Sequence, residues 1–300
     1  MRIASFIHED NPCTGFVLAD GSLFSLAGTS FEHLNAIDLI EMPVRDRQLM
    51  ADKVIAAAKT TPLQFADVRL LPPISRPGKI VCLGLNYFDH AAESGHDKPA
   101  YPSFFLRTAD SLVAAGEPIL RPACSEKLDY EAELAVVIGK RCRHAAHDHA
   151  LSYVGGYSCF NDASVRDFQH KTSQWTIGKN FDGTGAFGPL IVTADEMPEG
   201  AAGLEIATRL NGQLLQQDNT GNMVFTVAQA IAMLSQCMTL YPGDVIAMGT
   251  PAGVGSARRP PTWMRHGDTV EIFIEGIGRL SNPIRDERLQ EECTEEGACS

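Results

Sequence analysis

Two glutamates and an aspartate are the side chains of this sequence best suited to hold a metal ion. Glu131 and Glu133 lie two positions apart at the entrance to an apolar run that ends at Ile138. Because side chains alternate along a strand, both carboxylates are expected on one face, where unpaired charges would repel and lose hydration. Asp162 closes a second half-apolar run, 156–162. A hard divalent cation would compensate all three carboxylates, and with water they suit Mg²⁺ or Mn²⁺.

The same carboxylates also fit a solvated strand face, with Asp162 capping the helix that follows. Their neighbours favour the metal site, because Arg166 and Gln169 follow within one or two helical turns and Lys179 comes shortly after. Arginine offers a forked donor to a carboxylate, lysine a point charge for a developing enolate, and glutamine an amide that orients a ligand. Each of the three could equally be a surface or structural residue, and Arg166 could simply pair with Asp162 or Asp167.

A histidine and a glutamate, His90 and Glu93, directly follow the apolar run 80–85. Three positions apart, they would share one face of a helical turn, where the carboxylate fixes the imidazole tautomer and raises its basicity. Such a dyad activates water near neutral pH. A solvated helical pair is the alternative, and the position immediately after a buried strand favours the catalytic interpretation.

These residues must be positioned by a mostly β domain, because short apolar or alternating runs bounded by turn residues dominate the chain. The predicted strands are 80–85, 132–138, 190–192, 204–210, 245–248 and 269–274. Asn211-Gly212 predicts a hairpin, and 226–238 predicts the strongest helix, with Thr226 as its N-cap. Many strands and one strong helix favour a large folded sheet assembly over a doubly wound sheet.

The chain is expected to divide into three parts. Residues 1–70 predict a small N-terminal domain with a helix near 45–59, and a proline-rich joint separates it from the main domain, 71–284. Residues 285–300 predict a disordered acidic tail, which contributes much of the formal net charge of −12.

Composition excludes several classes of protein. An acidic chain without a basic stripe is a poor binder of nucleic acid. No apolar run approaches the roughly 20 residues that cross a bilayer, and charge comes too early for a secretory signal, so no membrane and a cytoplasmic location are predicted. Eight cysteines without a Cys-x-x-Cys pair indicate reduced structural thiols rather than a disulfide frame or zinc site.

One motif is discounted. Residues 183–188 match the glycine-rich dinucleotide fingerprint, but Pro189 and a β run follow, so no helix N-terminus is predicted there to hold a pyrophosphate. His144, His147 and His149 lie in a polar turn and are predicted to be surface residues rather than metal ligands.

Several segments, in their order and spacing, resemble the fumarylacetoacetate hydrolase family over about residues 70–283. They are Gly84-Leu85-Asn86-Tyr87 with His90 and Glu93, Phe104-Phe105-Leu106, the run 129–134, Asn161-Asp162 with Arg166-Asp167 and Gln169, Gly178-Lys179, Pro242-Gly243-Asp244, and the run 249–255. Residues 1–70 resemble the short leader domain of some members and lie outside this match.

The resemblance implies an α+β, predominantly β fold: a mixed β-sandwich roll behind a small N-terminal α/β domain, in a homodimer. The implied site consists of His90, Glu93 and Lys179 for catalysis, Arg107, Arg166, Gln169 and Thr250 for the substrate, and Glu131, Glu133 and Asp162 for Mg²⁺ or Mn²⁺. Relatives commonly have lysine where this chain has Arg107, so charge is preserved while the guanidinium fork alters carboxylate recognition.

The leading hypothesis is hydrolysis of a carbon-carbon bond in a small 2,4-dioxo acid of the acylpyruvate, fumarylpyruvate or fumarylacetoacetate type. Water activated by His90 and Glu93 would attack, and a metal-bound enolate stabilised by Lys179 would depart. Oxaloacetate-type decarboxylation and isomerisation of unsaturated dioxo acids such as 2-hydroxyhepta-2,4-diene-1,7-dioate are not separated from it by sequence. A non-catalytic ligand-binding protein on the same fold is the alternative from another class, and pure binding would need no general base.

Overall fold

The computed structural model describes residues 1–58, 61–88 and 100–288. Its strands are β1 (Arg2–His8), β2 (Asn11–Val17), β3 (Ser22–Ser25), β4 (Leu63–Gln64), β5 (Arg69–Leu70), β6 (Ile80–Gly84), β7 (Ser103–Arg107), β8 (Leu112–Val113), β9 (Ile119–Arg121), β10 (Leu128–Asp129), β11 (Ala132–Ile138), β12 (Val154–Asp162), β13 (Ser164–Val165), β14 (Gly185–Thr193), β15 (Glu205–Leu210), β16 (Gln213–Asn219), β17 (Val245–Ala247), β18 (Thr269–Ile274) and β19 (Gly278–Asp286). Its α-helices are α1 (Ala36–Glu41), α2 (Val44–Ala57), α3 (Arg166–Gln169), α4 (Thr176–Lys179) and α5 (Val227–Cys237). Short 3₁₀ turns cover Phe65–Asp67, Ala109–Ser111, His147–Tyr153, Ala194–Glu196, Glu199–Ala201, Thr220–Asn222 and Gly255–Ala257.

Twelve strands of the described ranges form one mixed sheet. Their order is β4-β3-β2-β1-β14-β12-β11-β17-β6-β7, with β5 beside β1 and β8 beside β14. Strand β11 is antiparallel to both β12 and β17, and β17 is parallel to β6. The start of β11 and the carboxyl ends of β12, β17 and β6 therefore meet at one edge of the sheet, where their loops can build a site.

The two faces of this sheet have separate cores, because side chains on a strand alternate. On β11, Leu134 and Val136 join one apolar cluster, whereas Ala135 and Val137 join the other. Glu133 has the parity of Ala135 and so continues the second face. The alternation predicted for this run is confirmed, and it places the carboxylates at the rim of an apolar layer.

A second sheet, of five strands in the order β16-β15-β18-β19-β9, lies on the other side of the first core. Its β15–β16 hairpin turns at Asn211 and Gly212, whose φ angles of 51° and 80° fit the tight turn predicted for this pair. Helix α5 begins at the predicted N-cap, where the Thr226 hydroxyl accepts from Gln229 N and the Gln229 side-chain oxygen accepts from Thr226 N. The predominantly β, α+β architecture is confirmed.

The N-terminal strands do not stand apart from the large sheet. Arg2 and Ile3 of β1 pair with Val192 and Ile191 of β14, so β1–β5 extend the sheet that carries the site. The division at residues 70 and 71 remains a proposal about folding units. None of the helices in the described ranges combines the length and apolar composition that spanning a bilayer requires.

Candidate active site

Three buried carboxylates converge at the sheet edge where β11 begins. Glu131 lies opposite Asp162, whose backbone N–H donates to the Glu131 carbonyl at 3.0 Å. Glu133 lies two residues further on, within β11, and Gly249 N donates to its Oε2 at 2.9 Å. One oxygen from each of Glu131, Glu133 and Asp162 lies within 4.8 Å of the others. Three oxygens in this arrangement could hold a divalent cation, which prefers carboxylate ligands.

A lysine bridges two of these carboxylates. The Lys179 ammonium, at the end of α4, lies 2.7 Å from Glu131 Oε2 and 2.6 Å from Asp162 Oδ2. Its side chain is 2% exposed, so these charge-assisted hydrogen bonds replace the water that the ammonium lost. The sequence analysis placed Lys179 beside the metal ligands, and the structure puts it in direct contact with two of them.

Arg166 connects a fourth carboxylate to the group. Its Nε donates to Asp129 Oδ2 at 2.8 Å, its Nη2 lies 2.7 Å from Glu131 Oε1, and its Nη1 donates to Gln169 Oε1 at 2.8 Å. Asp129 also accepts backbone N–H groups from Tyr130, Gly255 and Ser256, and it is fully buried. Sequence reasoning missed the role of Asp129, which orients Arg166 and ties it to the loop after residue 249.

Arg107 lies behind Asp162 rather than in the cavity. Its Nη1 donates to Asp162 Oδ1 at 2.5 Å and its Nη2 to Thr184 Oγ1 at 2.9 Å, with both members of the ion pair fully buried. The guanidinium packs over Gly185, where a Cβ would come within 2.7 Å of Nη2. In this structure Arg107 therefore supports a carboxylate, and its role toward the substrate stays a prediction from the resemblance.

The carboxylates outnumber the cations at this site. Four buried acids, Asp129, Glu131, Glu133 and Asp162, are accompanied by Arg107, Arg166 and Lys179. Burial raises the pKa of Glu133, and the nearby Asp162 and Glu131 carboxylates raise it further, against the opposing effects of Lys179 and Gly249 N–H. Burial alone would lower the pKa of Lys179, but Asp162 and Glu131 outweigh it and raise that pKa. With all four acids ionised, this buried group would carry one more negative than positive charge, and a divalent cation could take the place of the proton that the raised pKa of Glu133 favours.

Part of this charged group opens onto a cavity of about 360 Å³. Its walls include Glu131, Glu133, Arg166, Gln169, Lys179 and Thr250. Six of the predicted site residues thus share one space of the size that holds a small organic acid. A larger cavity of about 650 Å³ lies in the N-terminal region around Phe24 and Lys53, and no carboxylate is among the described residues that line it.

Two glycines allow the close packing behind the cavity. A Cβ at Gly178 would lie 2.4 Å from the backbone nitrogen of Gln169, so only glycine lets α4 approach α3 and bring Lys179 to the carboxylates. A Cβ at Gly84 would lie 2.2 Å from the ring of Trp175. Trp175 also packs edge-on against Phe105, at 5.5 Å between centroids, and both rings line the cavity.

His170 is a cavity residue that sequence reasoning missed. It follows α3 directly, and only its place one residue after Gln169 could have drawn attention to it. Partial burial lowers the pKa of His170, and the positive charges of Arg166 and Lys179 lower it further. The imidazole is therefore neutral at pH 7 and can accept a proton.

We expect the His170 imidazole to titrate below the ordinary histidine pKa of 6.5. Because this pKa is lower in the folded than in the unfolded chain, the corresponding stabilisation is complete above the unfolded value and is lost as pH falls through the folded one. The pH dependence of the His170 Cε1–H proton resonance, assigned with His170→Gln, measures the shift. Lys179→Met should move the pKa back toward 6.5, whereas a wild-type pKa above 6.5 would contradict the electrostatic picture.

Two predicted residues cannot be placed. His90 and Glu93 lie outside the described residues, so the water-activating dyad remains a prediction from sequence.

The glycine-rich run 183–188 leads into β14 and does not open a helix, as expected. Cys82 and Cys159 are fully buried, and burial raises the pKa of both thiols, in keeping with inert structural cysteines.

Comparison with known proteins places this site in a family context. The family model described as fumarylacetoacetate hydrolase C-terminal matches residues 79–285. The chain is 38% identical over 296 residues to a mitochondrial oxaloacetate tautomerase of Xenopus laevis. This match covers 95% of this chain and 90% of that protein. It is 40% identical over 230 residues to the human mitochondrial oxaloacetate tautomerase FAHD2A, over 76% of this chain and 73% of that protein.

Solved structures show the same fold. A fumarylacetoacetate hydrolase from Exiguobacterium antarcticum superposes with a TM-score of 0.82 at 33% identity. A maleylpyruvate hydrolase from Sphingobium sp. SYK-6, solved with manganese(II) and pyruvate, superposes with a TM-score of 0.78 at 29% identity. Both matches cover 96% of this chain and 100% of the other.

Proposed function

The chain belongs to the fumarylacetoacetate hydrolase family, and from this we propose that it is a divalent-metal enzyme that interconverts the keto and enol forms of a 2-oxo dicarboxylic acid. Oxaloacetate is the first candidate substrate. The observation that carries the proposal is a cluster of three buried carboxylates able to hold a metal, two of which line one cavity together with a lysine that bridges Glu131 and Asp162.

The donor set suits Mg²⁺ or Mn²⁺, because all three candidate ligands are carboxylate oxygens and the site has an excess of buried negative charge. A bound divalent ion would polarise the 2-oxo group and lower the cost of enolate formation. The Lys179 ammonium would stabilise negative charge on the substrate oxygen, and Arg166, Gln169 and Thr250 would bind a carboxylate group. Tautomerisation moves one proton between C3 and the 2-oxo oxygen, and His170 and His90 are the candidate carriers.

Tautomerisation is placed first for two reasons. The relatives named as oxaloacetate tautomerases are 38% and 40% identical to this chain, one of them over 95% of its length. Enolisation also needs no activated water, whereas hydrolysis needs one in addition to the same metal and Lys179.

Hydrolysis of an acylpyruvate is the second candidate. It is favoured by the likeness to the maleylpyruvate hydrolase and by His90 and Glu93 in the sequence. Decarboxylation of oxaloacetate and isomerisation of an unsaturated dioxo acid use the same enolate, and relatives include a 2-hydroxyhepta-2,4-diene-1,7-dioate isomerase from Mycobacterium marinum. We propose the homodimer and the Mg²⁺ or Mn²⁺ preference on family grounds.

The test uses chelator-treated protein supplied with Mg²⁺, Mn²⁺ or no metal. With oxaloacetate, we expect metal-dependent acceleration of the loss of enol absorbance, without release of pyruvate. Acetylpyruvate is incubated in parallel, and its cleavage to pyruvate would favour hydrolysis instead. Pyruvate formed from oxaloacetate would indicate decarboxylation, and a lack of turnover with every metal would favour the non-catalytic alternative.

A further inference from the structure

A buried glutamine outside the cavity contacts three parts of the site at once. Gln216, on β16 of the five-stranded sheet, is 1% exposed. Its Oε1 accepts from Ala132 N at 3.1 Å and from Thr208 Oγ1 at 2.7 Å. Its Nε2 donates to Thr250 Oγ1 at 2.9 Å and to the Pro251 carbonyl at 2.8 Å. All four hydrogen-bonding positions of the amide are thus occupied.

The chemistry of the partners determines which way this amide points. The backbone N–H of Ala132 can only donate, so the atom facing it must be the oxygen. The carbonyl of Pro251 can only accept, so the atom facing it must be the nitrogen. The two constraints agree, and the Nε2 beside Thr250 therefore acts as a donor to the threonine hydroxyl.

This donation directs the single hydroxyl proton of Thr250. Since Nε2 uses a lone pair of Oγ1, the Thr250 proton must point away from Gln216. Within the described ranges, no residue accepts a hydrogen bond from this hydroxyl. Thr250 is 3% exposed and lines the cavity beside Glu131 and Glu133. The remaining direction for its proton is the space that a bound ligand would fill.

We infer that Gln216 is a positioning residue that holds Thr250 as a hydrogen-bond donor to an anionic oxygen of the ligand, and this inference rests on the proposed function. The site thereby favours ligands that present a carboxylate or enolate oxygen at Thr250 and disfavours those that present an N–H or O–H donor there. The preference comes from the second sheet, because Gln216 itself does not line the cavity.

The test measures ligand binding, so that it does not depend on which reaction the enzyme catalyses. Mn²⁺ binding is followed by the electron paramagnetic resonance of the free ion, and oxalate binding to the Mn²⁺-loaded protein by calorimetry. Thr250→Val should weaken oxalate binding roughly tenfold, because one buried hydrogen bond to an anion is lost. Gln216→Met should weaken it by a similar factor, and the double variant should be no weaker than either single one.

Three further variants act as controls. Thr250→Ser keeps the hydroxyl and should bind oxalate nearly as the wild type does. Gln217→Met removes an exposed amide from the next position of β16, which bonds Glu205, and should change nothing. Gln216→Glu places an acceptor beside Thr250, which should turn the hydroxyl proton away from the cavity and weaken oxalate at least as much as Gln216→Met. This variant also serves if Gln216→Met does not fold.

The two roles of Gln216 are separated by the Mn²⁺ affinity. If Gln216 merely supported β11 through Ala132 N, its substitution would weaken Mn²⁺ binding as much as oxalate binding. We expect instead that the Mn²⁺ dissociation constant stays within about twofold of the wild-type value. The inference would be overturned if the double variant lost the product of the two single effects on oxalate binding, or if Mn²⁺ binding weakened in parallel. Neither outcome would contradict the proposed function. A wild-type protein that bound no Mn²⁺ would overturn both.

Discussion

Glu133→Gln is expected to weaken Mn²⁺ binding at least about a hundredfold and to lower metal-dependent turnover at least as much. The substitution keeps the shape of the side chain and removes one of three candidate ligand charges. Loss of an outer partner of a metal ligand already costs roughly 10–100-fold, so loss of a ligand charge should cost no less. Titration of chelator-treated protein with Mn²⁺ measures the first effect, and steady-state rates with oxaloacetate measure the second.

The same substitution should stabilise the metal-free protein. Because the pKa of Glu133 is raised in the folded state, its contribution to stability is present at low pH and is lost as pH rises above the unfolded value. At neutral pH, glutamine relieves that cost, and thermal unfolding in chelator should occur at a higher temperature than in the wild type. Glu205→Gln, at the exposed first position of β15, is the matched control and should change neither property. A variant that bound Mn²⁺ normally would remove Glu133 from the ligand set.

Lys179→Met should lower turnover by roughly 10²–10³-fold while leaving Mn²⁺ bound as tightly as before or more tightly. The loss follows from the proposed role of the ammonium as a donor to the substrate oxygen, since one preorganised donor contributes an effect of that size. Metal binding should not suffer, because a positive charge 2.7 Å from Glu131 and 2.6 Å from Asp162 competes with a cation for the same oxygens.

Stability provides a second measurement on Lys179→Met. Without metal, the variant leaves two buried carboxylates without their shared partner, so it should unfold at a lower temperature than the wild type. Saturating Mn²⁺ should restore much of the difference, because the ion binds only the folded site. Lys140→Met, at an exposed position, is the control. Unchanged turnover with tight metal binding would show that Lys179 only balances charge.

The bounds of several strands and helices could be predicted from sequence, because the buried side of each element produces a regular spacing of apolar residues. Strands β11 and β18 have the predicted bounds, and α5 begins at the predicted Thr226 cap. The placing of Glu133 on the face of Ala135 and Val137 also needed only the alternation of a strand. Each of these features depends on residues within a short stretch of chain.

Features that depend on distant partners could not be predicted in this way. The pairing of β1 with β14 joins segments nearly two hundred positions apart, and the apolar pattern of a strand does not show which other strand it pairs with. Gln216 sits in a polar-looking hairpin, and only the fold reveals that Ala132 and Thr250 surround it. The role of Asp129 could not be predicted for the same reason, because Asp129 meets Arg166 only when β10 pairs with β13. The resemblance assigned Arg107 to the substrate, which stays a prediction, and its buried contact with Asp162 could not be read from the sequence.

The packing of Trp175 on Gly84 links the variability of two distant positions. A Cβ at position 84 would lie 2.2 Å from the indole, so a side chain there would fit only if the indole moved or a smaller residue replaced Trp175. That exchange would remove an aromatic wall of the cavity and widen it on the side of Phe105. Gly84 and Trp175 together therefore set the width of the cavity on this side, and a change at either position alters the space left for a ligand.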